Sequence, residues 1–304
     1  MINFNDKKIR QFSKLEFFAR QVVEGFITGL HRSPFHGFSV EFAEHRAYNK
    51  GESTRHIDWK LFGKTEKLYT KRYEEETNLR SHILIDSSSS MYYPKGTENT
   101  KINFAVHAAA ALIHLMRTQR DAVGMGVFDE KVNLFTQSKL SSIHFNYLFH
   151  NLQKLSVDQP SSTSTNAAEA LHEFAQRIHR RSVIIIFSDM METEGENEDK
   201  LFAALRHLRF NKHEVILFHT IKKNEELDFD FDDRPYNFID MESGESVKLN
   251  PDEVRDEYKK AIAAYKNRLK SKCMQNKIEF IEADIDLGFN NILQSYLMKR
   301  KKMV

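Results

Sequence analysis

The stretch His82-Ile83-Leu84-Ile85-Asp86-Ser87-Ser88-Ser89-Ser90-Met91 reads as an apolar strand running straight into a carboxylate and a row of hydroxyls. Alternate residues of an extended segment share a face, so a strand ending in a tight turn can aim Asp86, Ser88 and Ser90 at one point. All three side chains offer oxygen. A donor set of hydroxyls with few carboxylates suits magnesium or manganese, whereas zinc would want histidine or cysteine. The spacing Asp-x-Ser-x-Ser is short enough to arise in any serine-rich turn, so the reading depends on finding the rest of a coordination shell.

Ligands collect where loops leave the carboxyl ends of parallel strands, and two further oxygen donors stand where such loops are expected. Thr165 lies in Ser161-Ser162-Thr163-Ser164-Thr165-Asn166, just before a helical pattern, and Asp189 closes the apolar run Val183-Ile184-Ile185-Ile186-Phe187-Ser188. Each residue has an ordinary alternative: serines fill turns, and Thr165 would cap a helix well. Three separate loops supplying oxygen on one sheet edge favour a metal site made of Asp86, Ser88, Ser90, Thr165 and Asp189.

From Ser81 onward strands and helices alternate. The pattern predicts strands over 81–86, 122–128, 182–188 and 214–220, with a tight return at Asp129-Glu130 into a further strand over 131–135. Helices are predicted over 102–119, 141–155, 166–180 and 198–210. Alternation of this kind requires right-handed crossovers and gives an α/β fold: a mainly parallel sheet with one antiparallel edge strand and helices on both faces. The acidic segment Glu225 to Asp233 and a hairpin over 236–249 turning at Ser243-Gly244 read as an insertion near 225–250. Pro251 then opens a long helix with Asp252 and Glu253 in its first turn, followed by a strand at 278–281 and a helix over 290–302. Upstream, Leu15, Phe18, Val22, Phe26 and Leu30 recur at helical spacing and predict an amphipathic helix packed on the segment that follows it. Short alternating runs from Phe35 to Tyr73, separated by Gly37, Gly51 and Gly63, predict a small β-rich module. The expected division is residues 1–78 for helix and module, and 79–304 for the α/β domain.

The ordered set Asp86-x-Ser88-x-Ser90, Thr165 and Asp189 resembles the metal-ion-dependent adhesion site of von Willebrand factor A-type domains. Upstream, Tyr48-Asn49-Lys50-Gly51-Glu52-Ser53-Thr54-Arg55-His56-Ile57-Asp58-Trp59-Lys60 is similar to the signature of a bacterial family, domain of unknown function 58 (DUF58). Gly51, Arg55, Ile57, Asp58 and Trp59 carry that match, with Lys71, Arg72, Glu74 and Glu76. The family usually has Asp where this chain has Glu52, and Ala-Arg where it has Gly63-Lys64. The resemblance implies a von Willebrand factor A-like, Rossmann-like fold, a bound Mg2+ or Mn2+, and a partner of the MoxR type, a magnesium-dependent AAA+ ATPase. It further implies an adaptor or co-chaperone role, with the ATPase or another protein partner donating an acidic ligand to the ion.

Composition sets the bounds. At 304 residues with 40% hydrophobic content the chain can bury a substantial core, and a formal net charge of +2 demands no polyanionic partner. Cys273 is the single cysteine, which rules out an intramolecular disulfide and a thiolate zinc cluster and fits a reducing compartment. The first ten residues lack the apolar core of a signal peptide. The longest apolar stretch, Ala105 to Met116, falls short of the roughly 20 residues of a spanning helix. The expected location is the cytoplasm, with docking to a membrane-bound partner left open.

Other chemistry finds less support. A phosphoryl-accepting aspartate at 86 would want a second acid where the chain has Ser88, and neither a Gly-x-Ser-x-Gly elbow nor a phosphate-binding glycine loop is found. Gly124-Met125-Gly126 falls inside a strand. A magnesium-dependent hydrolase or phosphatase is therefore the alternative, and the expectation is no enzymatic activity. His107 and His114, a heptad apart, read as core or surface histidines. The basic and aromatic segment Arg46 to Arg72 mixes Arg55, Lys60 and Lys71 with Trp59 and Tyr69 and could contact nucleic acid. Glu52, Asp58 and Glu66 oppose that, and an Arg55–Asp58 pair beside a buried Trp59 is the expectation.

Overall fold

The computed structural model describes residues 15–26, 45–47, 59–71, 79–157, 167–191, 196–241, 244–288 and 290–301. The described residues up to Gly25 and from Leu79 onward form one compact unit, and those between them form a second.

In the larger unit, β3 (Arg80–Asp86) is buried on both faces from Ser81 onward. That is why its sequence reads as a continuous apolar run and not as an alternation. It pairs in parallel with β4 (Ala122–Phe128) on one side and β6 (Val183–Ser188) on the other. Beyond β6 lie β7 (Glu214–Ile221) and β10 (Glu279–Asp284), both parallel, and beyond β4 the antiparallel β5 (Val132–Phe135). Among the described residues the six strands run in the order β10-β7-β6-β3-β4-β5. The α/β fold expected from the alternation of elements is the one observed, including its single antiparallel edge.

The sheet is covered twice. One face, with Leu84, Ile184, Ile186 and Leu217, packs into a cluster with α5 (Ala167–Arg177), α6 (Glu196–Phe210) and α8 (Pro251–Gln275). On the other, Ile83, Ile85, Ile185 and Phe187 are fully buried, and α3 (Lys101–Thr118) packs against β3, β4 and β7. Beside α3 lie α4 (Ser142–Val157) and α9 (Asn290–Lys301). The helix over 15–26, α1, also meets α3: Arg117 bonds Glu16 at 2.9 Å, and the Phe18 ring stands edge-on to His107 at 4.8 Å. The contacts described for α1 thus run to α3, where the sequence points to the segment that follows it. Among the described residues no helix is long and apolar enough to cross a membrane.

After β7 comes a single turn, α7 (Lys223–Glu226), and the hairpin of β8 (Tyr236–Ile239) and β9 (Ser246–Leu249) at the place read as an insertion. Phe229 anchors it, with Phe238 stacked at 5.5 Å and Tyr258 of α8 at 4.5 Å.

The smaller unit contains β1 (His45–Ala47) paired antiparallel with β2 (Tyr69–Lys71), and a helix, α2 (Trp59–Thr65), in a stretch read from sequence as strands. Trp59 corrects an expectation. It is 62% exposed at the start of a two-turn helix, with its ring edge-on to that of Phe62. Arg55 and Asp58 lie outside the described residues.

Candidate metal centre

β3 and β6 are neighbours, yet the chain leaves them in opposite directions: from β3 through α3 to β4, and from β6 through α6 to β7. Such a switch point opens a crevice beyond the carboxyl ends of the two strands. Asp86 is the last residue of β3, and Asp189 follows Ser188, the last of β6.

The turn after β3 is folded by its own polar groups. Ser87 is tied to β4, its amide and hydroxyl donating to the Phe128 carbonyl at 2.7 and 2.9 Å. Ser88 N donates to Asp86 Oδ1 at 2.9 Å, an Asx-type turn. Met91 is fully buried and pins the single 3-10 turn Ser89–Tyr92, which brings the Ser90 hydroxyl to 3.1 Å from that of Ser88. On the other strand, the Ser188 hydroxyl donates to Asp86 Oδ2 at 2.6 Å and accepts from Met190 N at 2.9 Å, stitching the two strand ends together. Met190 takes φ 49°, a conformation that costs a non-glycine residue energy and that clusters at functional sites. The Tyr265 hydroxyl of α8 donates to its carbonyl.

Asp86, Ser88, Ser90 and Asp189 are therefore gathered at one point. A side-chain hydrogen bond joins Ser90 to Asp189, and the Asp86 and Asp189 charges repel each other. Thr165 lies outside the described residues. The helix it was read to precede starts at Ala167, buried in the cluster that also holds Phe128 and Met190. His107 and His114 are apart from this point: His107 Nδ1 bonds the Asn103 carbonyl one turn back, as fits the histidine reading.

Burial, then the neighbouring Asp189 charge, pushes the Asp86 carboxyl up to about 7, against the hydrogen bonds from Ser188 and Ser88. Burial would raise Asp189 as well, but the Lys101 ammonium outweighs it and holds Asp189 below the usual carboxylate range. Lys101 is the residue that reading by motif missed. Its Nζ donates to Asp189 Oδ2 at 2.7 Å and to Glu226 Oε1 of α7 at 2.6 Å, while its side chain is 1% exposed. Burial works against the charged amine, and the two carboxylates more than restore it. Glu226 is itself raised, by burial first. Lys101 opens α3 directly after its cap Thr100, whose side chain accepts from Asn103 N at 3.2 Å. A cation at that end opposes the helix dipole, and this wrong-sign charge is the signal that could have marked it. Glu226 had no such signal within an acidic run.

The donors present fit a small hard dication. Two adjacent oxygen ligands of an octahedral magnesium ion, each at about 2.1 Å, stand about 3 Å apart, which is the spacing of the Ser88 and Ser90 hydroxyls. Asp86 has both oxygens engaged and so orients Ser88 and supplies charge. Asp189 gives Oδ2 to Lys101, and Oδ1 accepts a long 3.4 Å bond from Met191 N. Among the described residues no three His, Cys, Asp or Glu side chains are grouped to hold a metal, so hydroxyls are indispensable to any ion here.

Among curated proteins, the chain is 22% identical over 178 residues to Uncharacterized protein Rv1480 of Mycobacterium tuberculosis (strain ATCC 25618 / H37Rv), covering 58% of this chain and 55% of that one. Uncharacterized protein Mb1516 of Mycobacterium bovis (strain ATCC BAA-935 / AF2122/97) matches to the same extent. The chain thus spans about half the length of the curated relatives it matches. Among solved structures, the conserved hypothetical protein BatB from Bacteroides thetaiotaomicron is similar with a TM-score of 0.46 and 16% identity, over 74% of this chain and 99% of that one. An aerotolerance-related membrane protein from Bacteroides fragilis NCTC 9343 gives a TM-score of 0.46 and 17% identity, with the same coverage. Residues 44–268, well over half of the chain, match the family described as "Protein of unknown function DUF58", and the chain belongs to that family.

Proposed function

We propose that the chain is a non-enzymatic, metal-dependent protein-interaction module, a von Willebrand factor A-type domain with a metal-ion-dependent adhesion site. The hydroxyls of Ser88, Ser90 and Thr165 would hold Mg2+ or Mn2+ directly, with Asp86 and Asp189 supplying charge directly or through water. A bound dication with few anionic ligands keeps water and an open position, and so offers a docking point to a carboxylate on a partner. That partner is proposed to be a MoxR-type AAA+ ATPase in the cytoplasm, with this chain as its adaptor or co-chaperone. The family resemblance supports the choice of partner; the metal reading rests on geometry. One observation carries it: two hydroxyls at the spacing of adjacent octahedral ligands, set between two mutually repelling buried carboxylates at a sheet switch point.

The test is capture of a MoxR-type ATPase on immobilised wild-type chain and on Asp86→Ala, each in magnesium or in chelator, with circular dichroism to check the fold. Capture by the wild type in magnesium alone is the expected result. Equal capture by a folded Asp86→Ala chain, or in chelator, would reject the reading.

A further inference from the structure

We infer that Lys101 is a built-in rival of the divalent cation, an ammonium that holds Asp189 and thereby keeps the affinity of the site for the bare ion low. The inference rests on the metal reading above and adds a residue, a direction and a consequence to it. Two carboxyl groups, Asp189 and Glu226, meet one lysine in a region where each of these side chains is largely withdrawn from water. The lysine does not simply neutralise the nearest acid. It spans two, one belonging to the proposed site and one to α7, with nearly equal distances of 2.7 and 2.6 Å. The same ammonium can therefore lean from Asp189 towards Glu226 without losing a charged partner.

Its placement is costly in isolation. A lysine as first residue of α3 faces the positive end of the helix dipole, and burial disfavours its charge. Those costs are met only because both carboxylates converge on it. A dication bound by Ser88, Ser90 and Asp189 would sit beside this fixed positive charge, and like charges a few ångströms apart in a poorly hydrated site repel strongly. Ion entry thus has to displace the ammonium from Asp189 towards Glu226. The consequence is coupling: the bare site binds its ion weakly, and a carboxylate donated by a partner restores the missing negative charge, so ion and partner load together.

The experiment is a titration with Mn2+, followed by the paramagnetic resonance signal of the free ion, on the wild-type chain, Lys101→Met/Glu226→Gln, Glu226→Gln and Asp86→Ala. The double variant removes one charge of each sign, so net charge is unchanged and only the hold on Asp189 is lost. It should bind Mn2+ about tenfold or more tightly than wild type. Glu226→Gln, which leaves the ammonium wholly on Asp189, should bind severalfold more weakly and serves if the double variant does not fold. A counter-ion with only a structural role would shift the melting temperature in both variants and leave Mn2+ affinity where it was. Wild-type binding that is lost in Asp86→Ala but unchanged in the folded double variant, or unchanged in Glu226→Gln, overturns the inference and spares the metal reading. Absence of Mn2+ binding in both wild type and the double variant overturns both.

Discussion

A β-carbon added at Gly124 would lie 2.6 Å from His82 Cδ2 and 2.6 Å from the Thr136 carbonyl oxygen, closer than any real contact, and one of the two obstacles is backbone. Gly124→Ala should therefore destabilise by about 1–3 kcal/mol in urea denaturation. Gly25→Ala, in a helix with nothing within 4 Å, should stabilise by up to about 1 kcal/mol. Equal effects at the two sites would contradict the packing. The sequence showed that Gly124-Met125-Gly126 belongs to a strand, but not why it needs glycine, because that follows from the cross-strand register that sets Gly124 beside His82. His82 carries its own consequence. Buried and stacked on Phe135, its ring is pushed down to about 4, by desolvation first and then by His213 and His144. An unfolded histidine titrates near 6.5, so below that pH the unfolded chain binds more protons and stability falls as pH drops from about 6.5 to 4. Above that window this ring contributes nothing to the slope. The expected loss is about 3 kcal/mol at most for this ring. Urea midpoints measured from pH 7.5 to 4.5 should fall more steeply for wild type than for His82→Leu, and parallel curves would refute it.

Whole strands were legible for a reason that helices and loops do not share. β3 and β6 are walled in on both faces, so their apolar runs, Ile83 to Ile85 and Val183 to Phe187, could hardly be read otherwise. The long helix α8 was legible from Pro251 and its acidic first turn, but its service to the site was not. Tyr258 and Tyr265 lie seven residues apart, two turns of one face. Their hydroxyls reach the Glu226 and Met190 carbonyls, in the segments that follow β7 and β6. Tyrosines in a charged helix look like ordinary half-buried positions until the sheet supplies the acceptors. Tyr265→Phe would remove the hydroxyl that donates to the carbonyl of Met190, a residue already held at positive φ. It should cost about 1–3 kcal/mol in denaturant unfolding, where Tyr147→Phe, at a 47% exposed residue, should change little. Matching values for the two would deny α8 its part in shaping the rim.

Across the molecule, the order β7-β6-β3-β4 is what makes a site of residues 103 apart, since Asp86 and Asp189 meet only because their strands are neighbours with opposite exits. Alternation of elements announced the sheet; the pairing of β3 with β6 and the intrusion of Lys101 could be seen only in three dimensions. On the proposed metal reading, the same arrangement sets stability against ion binding. Burial first, and then repulsion from Asp189, disfavour an ionised Asp86 in the ion-free fold, and its rise to about 7 reflects both. Asp86→Asn keeps the shape and removes the repulsion, but its single carbonyl oxygen can accept only one of the two bonds now made by Ser88 N and the Ser188 hydroxyl, and its amide nitrogen donates where the other oxygen accepted. At pH 7.5 in chelator it should melt at or above wild type, the relief of burial and repulsion offsetting the hydrogen bond that the amide cannot accept. Magnesium reverses the ranking, because an ion that binds only the folded state at 100 times its dissociation constant adds about 2.7 kcal/mol. For a domain of this size that is a rise of roughly 5–10 °C in wild type, and Asp86→Asn should show none of it. Calorimetric scans of both chains across a magnesium series decide the matter: an equal rise in the two would place the ion elsewhere on the molecule, and a wild type indifferent to magnesium would reject the proposed ion site.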